Sequence, residues 1–219
     1  MGGIVFFDTE IHVETKKILD IGAIRSDGAK LHSPLAKEFT EFIKGCRYVC
    51  GHNIIAHDLQ YVNAHIAAAI PNYIAIDTLC LSPLLFPMRP YHALVKDDKL
   101  QSDSINNPLN DSLKAKELFD DEISAYRRLP VKMRRILCSL LMNTKEFYGF
   151  FHYLDETPAM DPEREIREFF RGKICSNADL ALLIRKVPVE LAYALALINT
   201  NDRHSVTPVL REKTEALRV

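Results

Sequence analysis

The most restrictive feature of this sequence is an apolar run that ends in acid. Gly3-Ile4-Val5-Phe6-Phe7 is an unbroken stretch of β-branched and aromatic residues, the pattern of a strand buried on both faces. Asp8-Thr9-Glu10 follows it at once. A strand that starts in a core and ends in carboxylates has to run outward to a polar rim. Side chains two apart share one face of a strand, so Asp8 and Glu10 emerge together and can share a cation.

The segments that follow supply the rest of a sheet. Ile18-Leu19-Asp20-Ile21-Gly22-Ala23-Ile24 reads as a second strand, with Asp27-Gly28 as a hairpin turn after it. A helix is expected over 34–43, a short strand over 47–51, a helix from about Ile55 and a strand at Tyr73-Ile74-Ala75-Ile76. In that second helix Ile55, Leu59, Val62, Ile66 and Ile70 recur three or four apart, so one stripe faces the sheet, with Asp58 and Tyr61 beside it. The alternation of strands and helices predicts an α/β fold with a mixed sheet flanked by helices. Residues 86–107 are polar and irregular, the length of a functional loop. Asn107-Pro108 then reads as N-cap and first helical residue of a helix to about Tyr126. Beyond it only helical periodicity remains, over 131–154, 162–170, 178–184 and 189–198. Two domains are therefore expected, 1–128 and a helical region 129–219, with the acidic, proline-containing stretch 155–162 as a second candidate boundary. After Asn199 the chain turns polar without a capping element, as expected of a tail that continues into a longer protein.

Composition narrows the function classes. With 219 residues, 47% hydrophobic and 26% charged, the chain can bury a sizeable core. Apolar stretches such as 191–198 fall well short of the roughly 20 residues that a membrane span needs. The first apolar run lacks the charged start of a signal segment, so the expected setting is cytoplasmic, with no membrane partner. The 5 cysteines are an odd count with no CxxC pair, which points to free buried thiols rather than disulfides or a zinc knuckle. A net charge of −1 excludes a globally basic nucleic-acid binder but leaves room for a local basic groove. The run Arg127-Arg128-Leu129-Pro130-Val131-Lys132-Met133-Arg134-Arg135 is the clearest positive cluster, joined by Lys96, Lys99, Lys114 and Lys116. Phosphate contacts and a solvated helical face account for it equally well.

Two further acids complete a series. In Gly51-His52-Asn53-Ile54-Ile55-Ala56-His57-Asp58 an acid follows a strand end, and in Asn106-Asn107-Pro108-Leu109-Asn110-Asp111 an acid stands in the first turn of a helix. Alone, each is an ordinary cap or helix-dipole partner. In this order, over residues 1–126, they resemble the DnaQ-like, or DEDD, 3′→5′ exonucleases, which have a ribonuclease H-like fold. The Asp27-Gly28 turn and Ile76-Asp77-Thr78-Leu79 share in that likeness.

The resemblance implies that Asp8, Glu10, Asp58 and Asp111 are both catalytic and metal-binding, with Asp8 shared between two divalent ions, Mg²⁺ or Mn²⁺. It implies phosphodiester hydrolysis at the 3′ end of DNA, single strands preferred; RNA would use the same site and differ only in sugar recognition. Thr9, Asn53, Tyr61 and His92 are the candidate substrate contacts. The chain departs from the family where the general base belongs. Histidine-type members carry a His five residues before the last acid and tyrosine-type members a Tyr four before it, and here Asn106 and Asn107 stand there. Asparagine takes no proton at neutral pH, although Asn106 can still hydrogen-bond an attacking water or a phosphate. Three consequences follow: the metal-activated water needs no base, another histidine (His57 or His92) swings in, or the site is slow or dead. His57 is expected to point away from its neighbour Asp58. A second departure is Ile11-His12-Val13-Glu14 in place of the family's Thr-Gly turn.

Tyr91-His92-Ala93-Leu94-Val95-Lys96-Asp97-Asp98-Lys99-Leu100 and the helices beyond it are also similar to exonuclease-like regions that precede RecQ-type helicase modules in some bacterial proteins. No phosphate-binding GxxxxGK[ST] loop is present, so a helicase module on the same polypeptide would lie beyond Val219. The alternative reading is a catalytically weak or inactive module of the same fold that binds nucleic acid or a protein partner. Asn106 favours it; retention of four acids argues against it, because clustered carboxylates repel one another.

Overall fold

Five extended segments, with continuous buried runs in β1, β2 and β4, build one sheet: β1 (Gly3–Ile11), β2 (Ile18–Arg25), β3 (Lys30–Ser33), β4 (Cys46–Gly51) and β5 (Ile74–Asp77). A computed structural model describes residues 2–94 and 107–200 of the chain. The spatial order is β3-β2-β1-β4-β5. The hairpins make β1–β2 and β2–β3 antiparallel, while crossovers through helices make β1–β4 and β4–β5 parallel. The expected α/β class with a mixed sheet flanked by helices is what the chain adopts. Helices α1 (Ala36–Phe42), α2 (Leu59–Ala69), α3 (Thr78–Leu85), α4 (Pro108–Arg128), α5 (Val131–Leu141), α6 (Tyr148–Leu154), α7 (Pro162–Phe169), α8 (Leu180–Lys186) and α9 (Pro188–Asn199) complete the described elements.

The chain forms two compact units, Met1–Leu79 with Ala93–Asp121, and Cys80–His92 with Glu122–Val219. In the first, Val5 and Phe7 of β1, Ile21 and Ala23 of β2, and Val49 of β4 share a core with Phe39 of α1 and Val62 and Ile66 of α2. The predicted stripe of α2 is this contact. The opposite face of β1 is covered by α4, where Phe6 meets Phe119 with ring centroids 5.7 Å apart. In the second unit Tyr126 packs edge-on to Phe150 and Phe151, and the Tyr193 hydroxyl donates to the Cys80 carbonyl at 2.9 Å. Asp161 and Asp179 cap α7 and α8 by accepting from the backbone N–H of Arg164 and Leu182.

Four elements differ from the expectation. β3 was not predicted, because its alternation of Lys30 and His32 with Leu31 and Ser33 is too short and polar to signal. α3 was masked by Pro83 inside it. α2 begins at Leu59 rather than near Ile55, since residues 54–58 form turns. The helix expected over 131–154 breaks between α5 and α6, where the Thr144 hydroxyl and N–H both bond to the Leu141 carbonyl. The stretch 155–162 joins α6 to α7 inside the second unit.

α4 reaches the sheet through a glycine. A Cβ on Gly22 would lie 2.0 Å from the Leu109 nitrogen and 2.1 Å from the Pro108 carbonyl carbon, both backbone atoms. Gly22→Ala should therefore displace the start of α4 and cost about 1–3 kcal/mol. A thermal melt of the variant should show a lower Tm; an unchanged Tm would contradict the close approach.

Candidate functional site

β1 outruns β4. The last β1–β4 pair is Phe6–Cys50, whereas β1 continues to Ile11 against β2 alone. The parallel strands thus part at their carboxyl ends, the place where α/β sheets carry ligand sites. Asp8, Thr9 and Glu10 stand on this overhang. Thr9 is buried, while Asp8 and Glu10 on the other face are half-buried.

Asp8 lies opposite Gly22 in the antiparallel ladder, and Gly22 is where the first turn of α4 rests. That turn carries Asp111. Asn107 caps it as predicted: its side-chain oxygen accepts from the Leu109 N–H at 3.0 Å, and its carbonyl accepts from the Asp111 N–H at 3.2 Å. Asp8, Glu10 and the N-terminal turn of α4 therefore share one face of the sheet. Glu10 pairs with Asp20, whose carboxylate lies 2.5 Å from Nε2 of His32 on β3 and accepts from the Ile21 N–H. Like charges opposite each other on a ladder oppose folding, and the Asp20 carboxylate here has the imidazole of His32 and the Ile21 N–H as partners. Neither Asp20 nor His32 was singled out from the sequence. Asp20 was visible as the polar residue in an apolar strand, but its partner stands on the strand that gave no signal.

Asp58 approaches Thr9. Its Oδ1 accepts from the Thr9 backbone N–H at 2.9 Å and from the Thr9 hydroxyl at 2.5 Å, so Thr9 is a support for Asp58 with its hydroxyl engaged. The carboxylate does not cap α2. His57 Nδ1 stands 3.6 Å from Asp58 Oδ2, which corrects the expectation that His57 points away; turns over 54–58 bring the two neighbours together. The Tyr61 ring lies beside the imidazole, centroids 5.7 Å apart. Thr9, Asp58, His57 and Tyr61 thus form one chain of contacts. Asp58 is only 2% exposed. Burial raises its pKa above the ordinary carboxylate value of 3.8, against the opposing pull of the Thr9 hydroxyl, His57 and the Thr9 N–H.

Asn53 has a left-handed backbone, φ 66°, and gives its N–H to Asp77. Asp77, 1% exposed at the end of β5, accepts from the N–H groups of Asn53 at 2.8 Å, Ile55 at 3.0 Å and Leu79 at 2.9 Å. The Thr78 hydroxyl lies 2.9 Å from His52 Nδ1 and donates to the Gly51 carbonyl at 3.3 Å. Gly51 leaves no room for a side chain, since a Cβ would meet the Phe7 carbonyl oxygen at 2.5 Å. Asp77 and Thr78 therefore set the path of the turn that leads to Asp58. The sequence offered them only as part of a family-like motif.

The other candidates lie elsewhere. His92 belongs to the second unit, where its Nδ1 stands 2.9 Å from the hydroxyl of Ser82. Burial, then the nearby Arg89, lowers its pKa below 6.5. Asn106, Lys96 and Lys99 lie outside the described residues. Much of the basic run is internally paired: Lys132 with Glu168 at 3.4 Å, Arg134 with Glu156 at 2.9 Å and Arg135 with Glu165 at 3.0 Å. Arg127 and Arg128 are exposed. Lys116 pairs with Asp120 at 2.8 Å. All five cysteines are free thiols. Among the described residues no three His, Cys, Asp or Glu side chains are gathered as a ready cation cage, and no helix is long and apolar enough to cross a membrane. No protein-family model and no curated protein sequence matches the chain.

The buried carboxyl of Asp58 sets a pH dependence. Its folded pKa is raised, so the protonated folded state is favoured, and stability is lost as pH climbs from about 3.8 through the raised value. Asn accepts the Thr9 bonds without the charge. In metal-free buffer Asp58→Asn should match the wild type near pH 4 and exceed its Tm at pH 7. A gap that does not widen between these pH values would contradict the assignment.

Proposed function

We propose that the first unit is a metal-dependent 3′→5′ exonuclease of the DnaQ-like type on a ribonuclease H-like scaffold, acting on the 3′ end of DNA with single strands preferred. The observation that carries this reading is the overhang of β1: Asp8 and Glu10 on the face where the Asp111 turn rests on Gly22, with Asp58 bonded to Thr9, the residue between them in sequence. The strand order β3-β2-β1-β4-β5, antiparallel then parallel about β1, supports the scaffold.

The donor set suits a hard cation: Asp8, Glu10, Asp58 and Asp111 offer only carboxylate oxygens. Asp58, whose anionic form burial disfavours, would gain from a neighbouring positive charge. When bound, Mg²⁺ or Mn²⁺ ions held by these four carboxylates would supply Lewis-acid activation and charge stabilisation for phosphodiester hydrolysis. The chain's own part is to hold these oxygens, orient the nucleotide and manage the proton. Thr9 fixes Asp58, and Asp77 with Thr78 fixes the turn before it. Of the two histidines that stand as replacements for the missing base, His57 is beside an acid of the set, whereas His92 is bonded to Ser82 in the second unit. Asn106 favours a second reading, a module of this fold that binds nucleic acid without turnover.

Incubation with 5′-labelled single-stranded DNA and Mg²⁺ or Mn²⁺ separates the two. A ladder that vanishes with EDTA and in Asp8→Ala is expected, and Asn106→His should quicken it. No ladder under either metal, with DNA still bound, would establish the binding module instead.

A further inference from the structure

After α3 the chain makes a stiff loop, Phe86-Pro87-Met88-Arg89-Pro90-Tyr91-His92, that belongs to the second unit and takes no part in the chemistry proposed above. Its shape is held at several points. Pro87 and Pro90 fix their own φ angles. The Arg89 N–H closes a turn on the Phe86 carbonyl at 2.9 Å, and the Phe86 N–H continues from α3 onto the Ser82 carbonyl at 2.8 Å. At the far end His92 is anchored to Ser82, itself only 1% exposed.

This rigid loop presents flat surfaces to solvent. The Arg89 guanidinium carbon stands 3.7 Å from the centroid of the Phe86 ring, a parallel-contact distance, and Arg89 is exposed. Tyr91, two residues on, is 82% exposed, an extreme for an aromatic side chain in a loop so firmly tied. The stretch from Phe86 to Leu94 contains a cation and no acid. A planar cation backed by an aromatic ring, an exposed phenol and local positive charge suit an unpaired nucleobase stacked on a flat side chain, with its phosphate on the guanidinium.

We infer that Arg89, backed by Phe86, and Tyr91 form a stacking site for single-stranded nucleic acid on the second unit. The inference rests on the exonuclease reading for the class of ligand, but its test does not depend on cleavage. The chain contains no tryptophan, so Tyr91→Trp installs a single reporter at an exposed position. In EDTA, titration of that full-length variant with an unlabelled oligo(dT) should quench its emission saturably, and a blunt duplex should quench it far less. Against a fluorescein-labelled oligo(dT), anisotropy should show about tenfold weaker binding for Tyr91→Ala and for Arg89→Ala. Arg89→Lys, which keeps the charge and loses the plane, should fall between Arg89→Ala and the wild type. Circular dichroism and Tm should be unchanged in all four variants. Emission that stays constant while oligo(dT) binds elsewhere, equal quenching by duplex, affinities within twofold of wild type, or no oligonucleotide binding at all would overturn the site. A cleavage ladder with a silent reporter rejects this site alone; a responsive reporter without a ladder rejects the exonuclease alone.

Discussion

A strand that outlasts its neighbour leaves backbone groups in need of partners, and this molecule answers that need with carboxylates. Past Phe6–Cys50 the N–H of Thr9 has no partner on β4, and Asp58 takes it. Past the end of β4 the turn amides of Asn53 and Ile55 have no partner in the sheet, and Asp77 takes them. Buried N–H groups left unmet would cost about 1–3 kcal/mol each, so these acids are part of the fold's stability before any chemistry is considered. The same bonds fix where the proposed site's side chains stand. Asp58 is held in burial that disfavours its charge, and that tension between folding and charge is what a cation would relieve.

The legible parts of this arrangement were those that repeat along the chain. Alternation put Asp8 and Glu10 on one strand face, helical spacing set the buried stripe of α2, and Asn107-Pro108 marked the start of α4. The illegible parts were side-chain bonds between distant residues. Thr9 and Asp58 are 49 positions apart and Asn53 and Asp77 are 24 apart, and nothing periodic connects them. Thr9 was legible as a candidate substrate contact, but its hydrogen bonds to Asp58 were not. His57 was misjudged because helical geometry was extended back into residues 54–58, which form turns instead. The four acids as a set were recognisable only through likeness to a family, since each alone is an ordinary strand-end or first-turn residue.

Charge patterning carried the least information. The run from Arg127 to Arg135 suited phosphate contacts and a solvated helical face equally well in sequence, and in the structure Lys132, Arg134 and Arg135 meet Glu168, Glu156 and Glu165. These pairs tie the start of α5 to α7 and to the turn after α6, within the helical unit. The loop after α3 has fewer charges, but its Arg89 is laid on Phe86 and left facing water.

The central claim is that Asp8, Glu10, Asp58 and Asp111 together hold divalent cations. Counting bound Mn²⁺ by electron paramagnetic resonance tests it without reference to turnover. The account predicts two Mn²⁺ per chain for the wild type and none held tightly by Asp8→Ala of unchanged Tm. Absence of Mn²⁺ binding in the wild type, or binding that survives the loss of Asp8, would contradict it.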